Sequence, residues 1–207
     1  MKKRGAIVLA GGRSTRMGRD KWMLPIGTQT VLERLVDRLA PIVDDRVTIV
    51  AAAGGGPLPA SLCADERVRI THDAETGVGP LAGLRAGLSA GCAELYVVAA
   101  ADMPFFTGAV ADRLLSELGR SGLECVVPQR QGKLHPLAAA YHRRSLPALE
   151  SCLATGGRKV MEWVRALAWA KMPEEELDRV DPEGAAFYNM NTMEDYEAAL
   201  RLYHNKS

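Results

Sequence analysis

The sequence predicts an α/β fold in which a mainly parallel sheet lies between two layers of helices. Three observations predict it. Short apolar runs recur along the chain; each run is continuous, as in strands buried on both faces; and segments of helical period stand between them. At 207 residues the chain can bury one sizeable core, so one domain over residues 1–207 is expected, with a change of rhythm near Pro128.

Residues 6–9 read as the first strand and end in two glycines. Residues 30–39 read as a helix with Val31, Leu35 and Leu39 on one face, and residues 47–51 as the second strand. "AAAGGGPLPA", residues 51–60, is the one low-complexity patch and reads as a flexible turn. A strand at 68–71, a helix at 81–90, a strand at 95–100, a helix at 108–118 and a strand at 125–127 continue the alternation. Beyond Pro128 the reading is a strand at 137–141, a helix from about Ser145 and a second helix at 158–166. Thr192 then caps a terminal helix with Glu194 or Asp195 in its first turn.

Hydrophobic residues at 47% and charged residues at 25% are average for a globular protein, which removes disorder as the default. The 26 basic and 25 acidic side chains leave a net charge of +1, so a general nucleic-acid or anionic-membrane binder is disfavoured and any positive patch is local. Cys63, Cys92, Cys125 and Cys152 show no Cys-x-x-Cys spacing and no His pairing, which indicates neither zinc nor a disulfide framework; buried free thiols in a reducing cytoplasm are expected. The apolar run of "MKKRGAIVLAGG" stops after about five residues, short of the roughly 7–15 of a signal-peptide core. No segment has the length of a membrane span, so a cytoplasmic location is expected.

The most informative stretch is "AIVLAGGRSTRMGRDK", residues 6–21. Gly11, Gly12 and Gly18 let backbone N–H groups approach an anion, and Arg13, Arg16, Arg19 and Lys21 add charge. Charge clusters are usually solvated surface; a strand end, three glycines and four cations together favour a phosphate site instead. The pattern is neither Gly-x-x-x-x-Gly-Lys-Ser/Thr nor Gly-x-Gly-x-x-Gly. "GVGPLA", residues 77–82, satisfies the second loosely, but it does not follow its strand directly, and Pro80 marks the first turn of a helix whose N-terminus would lie near the ligand. Asp102, at the end of the buried run "LYVVAAADMP", would put one carboxylate at the ligand edge of the sheet. One carboxylate with phosphate oxygens and waters suits Mg²⁺; the other reading is a cap for the helix after Pro104.

These residues resemble the molybdenum cofactor guanylyltransferases, whose signature is similar to "LAGGRSTRMGRDK" here. The resemblance continues through "GPLAG" (residues 79–83), "DMP" (102–104), "HP" (135–136), "GGRKVM" (156–161) and "NMNT" (189–192). It implies a Rossmann-like three-layer nucleotidyltransferase fold of the nucleotide-diphospho-sugar transferase type. Residues 1–128 would form a nucleotide-binding half and residues 129–207 an acceptor-binding half. The implied activity is transfer of GMP from GTP to molybdopterin cofactor with Mg²⁺. By the same resemblance Leu9, Ala10 and Gly11 line the nucleotide, Gly12, Arg16 and Lys21 the phosphates, and Asp73, Gly79 and Gly83 are further nucleotide positions. Asp102 matches the metal ligand, while Arg158, Asn189 and Asn191 match positions tied to the acceptor or to catalysis. "LAGG" and "GPLAG" point to guanine over cytosine. Ala51 departs from the family, whose guanine-specific members often carry Asn there.

An acceptor phosphate with a second pKa of about 6 needs no general base at neutral pH, so no His-Asp pair is required. Arg16, Lys21 and Asp102 are therefore the candidate catalytic residues. His135 either orients an acceptor phosphate or is a structural histidine of a strand turn, and Trp22, Trp163 and Trp169 read as core rather than as pterin-stacking groups. A labile pterin acceptor also suits handover by a cofactor-delivering protein or molybdoenzyme chaperone. Alternatives from the residues are a cytidylyl or sugar-phosphate nucleotidyltransferase, and an adaptor that binds nucleotide without turnover.

Overall fold

The computed structural model describes residues 2–11, 20–73 and 79–205. In chain order the strands are β1 Arg4–Ala10, β2 Pro25–Ile26, β3 Gln29–Thr30, β4 Val47–Ala52, β5 Val68–Asp73, β6 Leu95–Ala100, β7 Cys125–Arg130, β8 Lys133–Leu134, β9 Ala140–His142 and β10 Trp169–Met172. The helices are α1 Val31–Leu39, α2 Ala60–Cys63, α3 Pro80–Ala90, α4 Gly108–Ser121, α5 Leu146–Ala154, α6 Val160–Arg165, α7 Glu174–Asp178 and α8 Met193–His204.

The main sheet runs β10-β7-β9-β6-β1-β4-β5, with β8 paired to β7. β1 is parallel to both neighbours, with Val8 opposite Ile49 on β4 and opposite Ala99 on β6. β9 enters antiparallel between β6 and β7. Helices cover both faces, giving two apolar clusters. One gathers α1 and α4 around Leu35, Phe106, Leu114 and Val97; the other gathers α3, α5 and α6 around Ile7, Leu84, Leu149 and Trp163. This is the expected three-layer α/β arrangement. Among the described residues no helix is long and apolar enough to cross a membrane.

The helix ends follow local chemistry. Thr30 caps α1 and Glu33 bonds back to its N–H, a reciprocal capping box. Thr107 caps α4, which stops at Gly122 in the left-handed region (φ 70°). α3 packs unusually close to the sheet: a Cβ on Gly83 would sit 3.3 Å from Leu9, and one on Gly87 2.7 Å from Ile7. Two bare glycines one turn apart thus let the backbone of α3 settle onto β1.

Several expectations change. The strand at 68–71 is not buried on both faces: β5 is the sheet edge, with Arg69 half-buried and His72 exposed. The strand expected at 137–141 forms at Ala140–His142, although Leu137 and Ala139 still accept backbone bonds from Ala100 and Val98. The helix expected at 158–166 begins only at Val160, after Lys159 in extended conformation. Of the thiols, Cys125 is buried and Cys152 half-buried, whereas Cys63 and Cys92 are exposed, because they lie in or beside short connections rather than on strands. Trp22 and Trp163 are buried, Trp163 stacked on Tyr141 at 4.7 Å, while Trp169 is half-buried on the outermost strand.

The contact between α3 and β1 yields a test. Gly87→Val should destabilise the fold by about 1–3 kcal/mol in urea denaturation, the scale of overpacking a tight core, despite valine's better helix propensity.

Candidate functional site

Because β1 has β6 on one side and β4 on the other, its carboxyl end lies where the strand order reverses, the edge at which open α/β sheets bind ligands. Leu9 and Ala10 are buried at the end of β1, and Gly11 is exposed just beyond. Asp102 follows β6 by two residues. Its Oδ1 is buried and has no hydrogen-bond partner among the described residues. Burial raises the pKa of this carboxyl, opposed by the nearby positive charge of Lys21 and by a backbone hydrogen bond.

The C-terminal segment closes the site from the other side. Met190 N–H donates to the Asp102 carbonyl at 2.8 Å, and the Lys21 ammonium donates to Asn191 Oδ1 at 3.0 Å. Residues 170 positions apart in sequence thereby meet at one point. Lys21 heads a short 3₁₀ turn, Lys21–Met23, anchored by buried Trp22, so its backbone is fixed while its ammonium reaches outward.

The remaining candidates have differing contacts of their own. Asp73 ends β5 opposite Ala52. Ala51 is buried on β4 between Ala10 and His72. Gly79 precedes α3 with φ 79°, a backbone conformation that favours glycine, and its α-carbon faces the Arg158 carbonyl, so the loop before α6 abuts the start of α3. Gly83 is buried against Leu9 and Val50, a packing position between helix and sheet. Asn189 donates to the Phe187 carbonyl at 3.1 Å. His135 packs on Phe187 with ring centroids 4.9 Å apart, and burial lowers its pKa, which favours the neutral ring. Gly12, Arg13, Arg16, Gly18 and Arg19 lie outside the described residues.

The sequence profile of the MobA-like NTP transferase domain matches residues 6–171. The chain belongs to this family. A protein of Methanosarcina mazei named probable molybdenum cofactor guanylyltransferase is 34% identical over 203 residues, covering 94% of this chain and 88% of its own. The crystal structure of molybdopterin-guanine dinucleotide biosynthesis protein A from Archaeoglobus fulgidus superposes with a TM-score of 0.81 at 26% identity, covering 97% of this chain and 99% of that one. A Thermus thermophilus 2-C-methyl-D-erythritol 4-phosphate cytidylyltransferase shares the fold, with a TM-score of 0.69 at 17% identity over 99% and 100% of the two chains. This MobA-like protein is a nucleotidyltransferase.

Among the described residues of this family member, no group of three or more His, Cys, Asp or Glu comes together to hold a metal by itself. A single buried carboxylate oxygen without a partner fits a different arrangement: a divalent cation that takes most of its ligands from phosphates and water. Sequence reasoning missed the backbone bond from Met190 to Asp102, which has no side-chain signature, and treated Asp195 only as a helix-start residue although it binds the Asn191 N–H.

The raised pKa of Asp102 makes a signed prediction. The folded chain keeps a proton that the unfolded chain loses near pH 3.8, so this residue's contribution to stability falls as pH rises from there through the raised folded value. Asp102→Asn should therefore melt above wild type at neutral pH without added metal, by about 2–4 °C for each 1 kcal/mol recovered. The gain should shrink on acidification, and calorimetric melts across pH check it.

Proposed function

We propose that the chain transfers GMP from GTP to the phosphate of molybdopterin, giving molybdopterin guanine dinucleotide and pyrophosphate. The observation that carries the reading is a cation, Lys21, whose charge acts on a buried carboxylate with one unpartnered oxygen, Asp102, at the carboxyl edge of the sheet in a chain of this family. The relatives' names supply the acceptor, and "LAGG" with "GPLAG" supports guanine.

In this reading an oxygen of the acceptor phosphate bonds to the α-phosphorus of the nucleotide as the α–β bridging P–O bond breaks, and pyrophosphate leaves. The acceptor oxygen is already ionised at neutral pH, so the chain supplies orientation and charge neutralisation rather than a base. Lys21 and Arg16 hold the triphosphate, and Gly11 and Gly12 give its oxygens backbone N–H groups. Leu9, Ala10 and Asp73 contact the nucleoside beside Gly79 and Gly83. His135, Arg158, Asn189 and Asn191 face the acceptor from residues 129–207, leaving residues 1–128 as the nucleotide half. Mg²⁺ held by Asp102 and the phosphates would offset their charge and stabilise the leaving pyrophosphate. A labile acceptor calls for a delivering protein or a molybdoenzyme chaperone in a reducing cytoplasm.

Calorimetric titration of GTP, CTP and ATP with Mg²⁺ tests the nucleotide half: wild type should prefer GTP, and Asp102→Ala should lose the metal dependence. Preference for CTP would instead trace to Ala51, which lacks the amide of guanine-specific relatives. In pyrophosphate-release assays with molybdopterin, Lys21→Ala should lose about 10²-fold or more in turnover, the scale of removing one electrostatic donor.

A further inference from the structure

We propose that Asp195 is a positioning residue for Lys21, acting through Asn191. The proposal rests on the reading of Lys21 as the cation that binds the triphosphate. Asp195 stands three residues after the cap of α8, where a capping box ordinarily binds only the N–H of the cap residue. Here its Oδ2 accepts two N–H groups, from Thr192 at 2.9 Å and from Asn191 at 2.7 Å. The second bond lies outside the helix and is the shorter. It fixes the backbone of the residue whose side-chain oxygen takes the Lys21 ammonium at 3.0 Å.

Two further bonds hold this unit in place. Tyr188 Oη donates to the Asp195 carbonyl at 2.7 Å, and Tyr196 Oη donates to the Pro25 carbonyl at 2.6 Å, tying the first turn of α8 to the strand that follows Lys21. The Asp195 carboxyl is kept ionised, first by the Asn191 N–H, then by the Thr192 N–H, with a smaller contribution from Lys21 itself. Its negative charge thus lies against the Asn191 backbone. Lys21 acts on both Asp102 and Asp195, and a triphosphate arriving at this sheet edge meets an ammonium already aimed.

Two measurements separate this role from helix capping. The first needs no substrate: trace acetylation with acetic anhydride, read by mass spectrometry, compares Lys21 with exposed Lys171. Asp195→Asn and Asn191→Ala should raise the relative labelling of Lys21 by about threefold, the factor one ordinary hydrogen bond carries. Thr192→Ala, which removes the hydroxyl from the same box while leaving the carboxylate on Asn191, should not. The second is a double-mutant cycle on nucleotide turnover. Asp195→Asn should lower kcat by about 10-fold in wild type, a modest misplacement, and by less than about twofold once Lys21 is alanine. Unchanged labelling, or an undiminished effect of Asp195→Asn in the Lys21→Ala background, overturns the proposal. Labelling that shifts as expected in a protein that turns over no nucleotide supports the positioning and overturns the proposed reaction.

Discussion

The site depends on where β1 lies in the sheet. β1 has parallel partners on both sides, β4 and then β6 being added later in the chain on opposite sides of it, so its carboxyl end marks the point where the strand order reverses. The described residues proposed for nucleotide handling lie at the ends of β1 and β5 or follow β1, β5 and β6 in the chain, as Lys21, Gly79 and Asp102 do. The close approach of α3 is part of the same constraint, because side chains at Gly83 and Gly87 would press on Leu9 and Ile7 of β1.

Against that rigid frame, one group is held at a cost. Asp102 is placed where water no longer solvates one of its oxygens and no described donor replaces it. A fold selected for stability alone would put an apolar or amide side chain there. The residue is instead braced through its own carbonyl by Met190, so its backbone is fixed even though one carboxylate oxygen has no partner among the described residues. That combination of a fixed backbone and a strained electrostatic environment is characteristic of a group kept for ligand chemistry.

Much of this was legible in the sequence. Continuous apolar runs announced the parallel strands, since only strands covered on both faces tolerate them. β5 was found as a strand but its edge position escaped, because a run such as "VRIT" carries the same residues whether one face or two are covered. β9 was found as a strand, but its antiparallel entry follows from the chain's return path and leaves no local mark. At the site, Lys21 and Asp102 could be picked from strand-end position and charge. Asn191 came only through family resemblance, and Asp195 was visible as a helix start but not as a brace, because its second hydrogen bond goes to a backbone N–H that every residue type carries. His135 shows a contact that residue type alone does not give, because its packing against the Phe187 ring depends on how the C-terminal segment returns.

The meeting of Lys21 with Asn191 also sets an order of events in biosynthesis. The lysine leaves the ribosome early, and its partner follows 170 residues later. β1, α1 and β4 can pair while the rest is being made, since their contacts are close in sequence, whereas the aimed ammonium waits for α8 to dock. The growing chain can therefore pair much of its sheet before the Lys21–Asn191 bond can form.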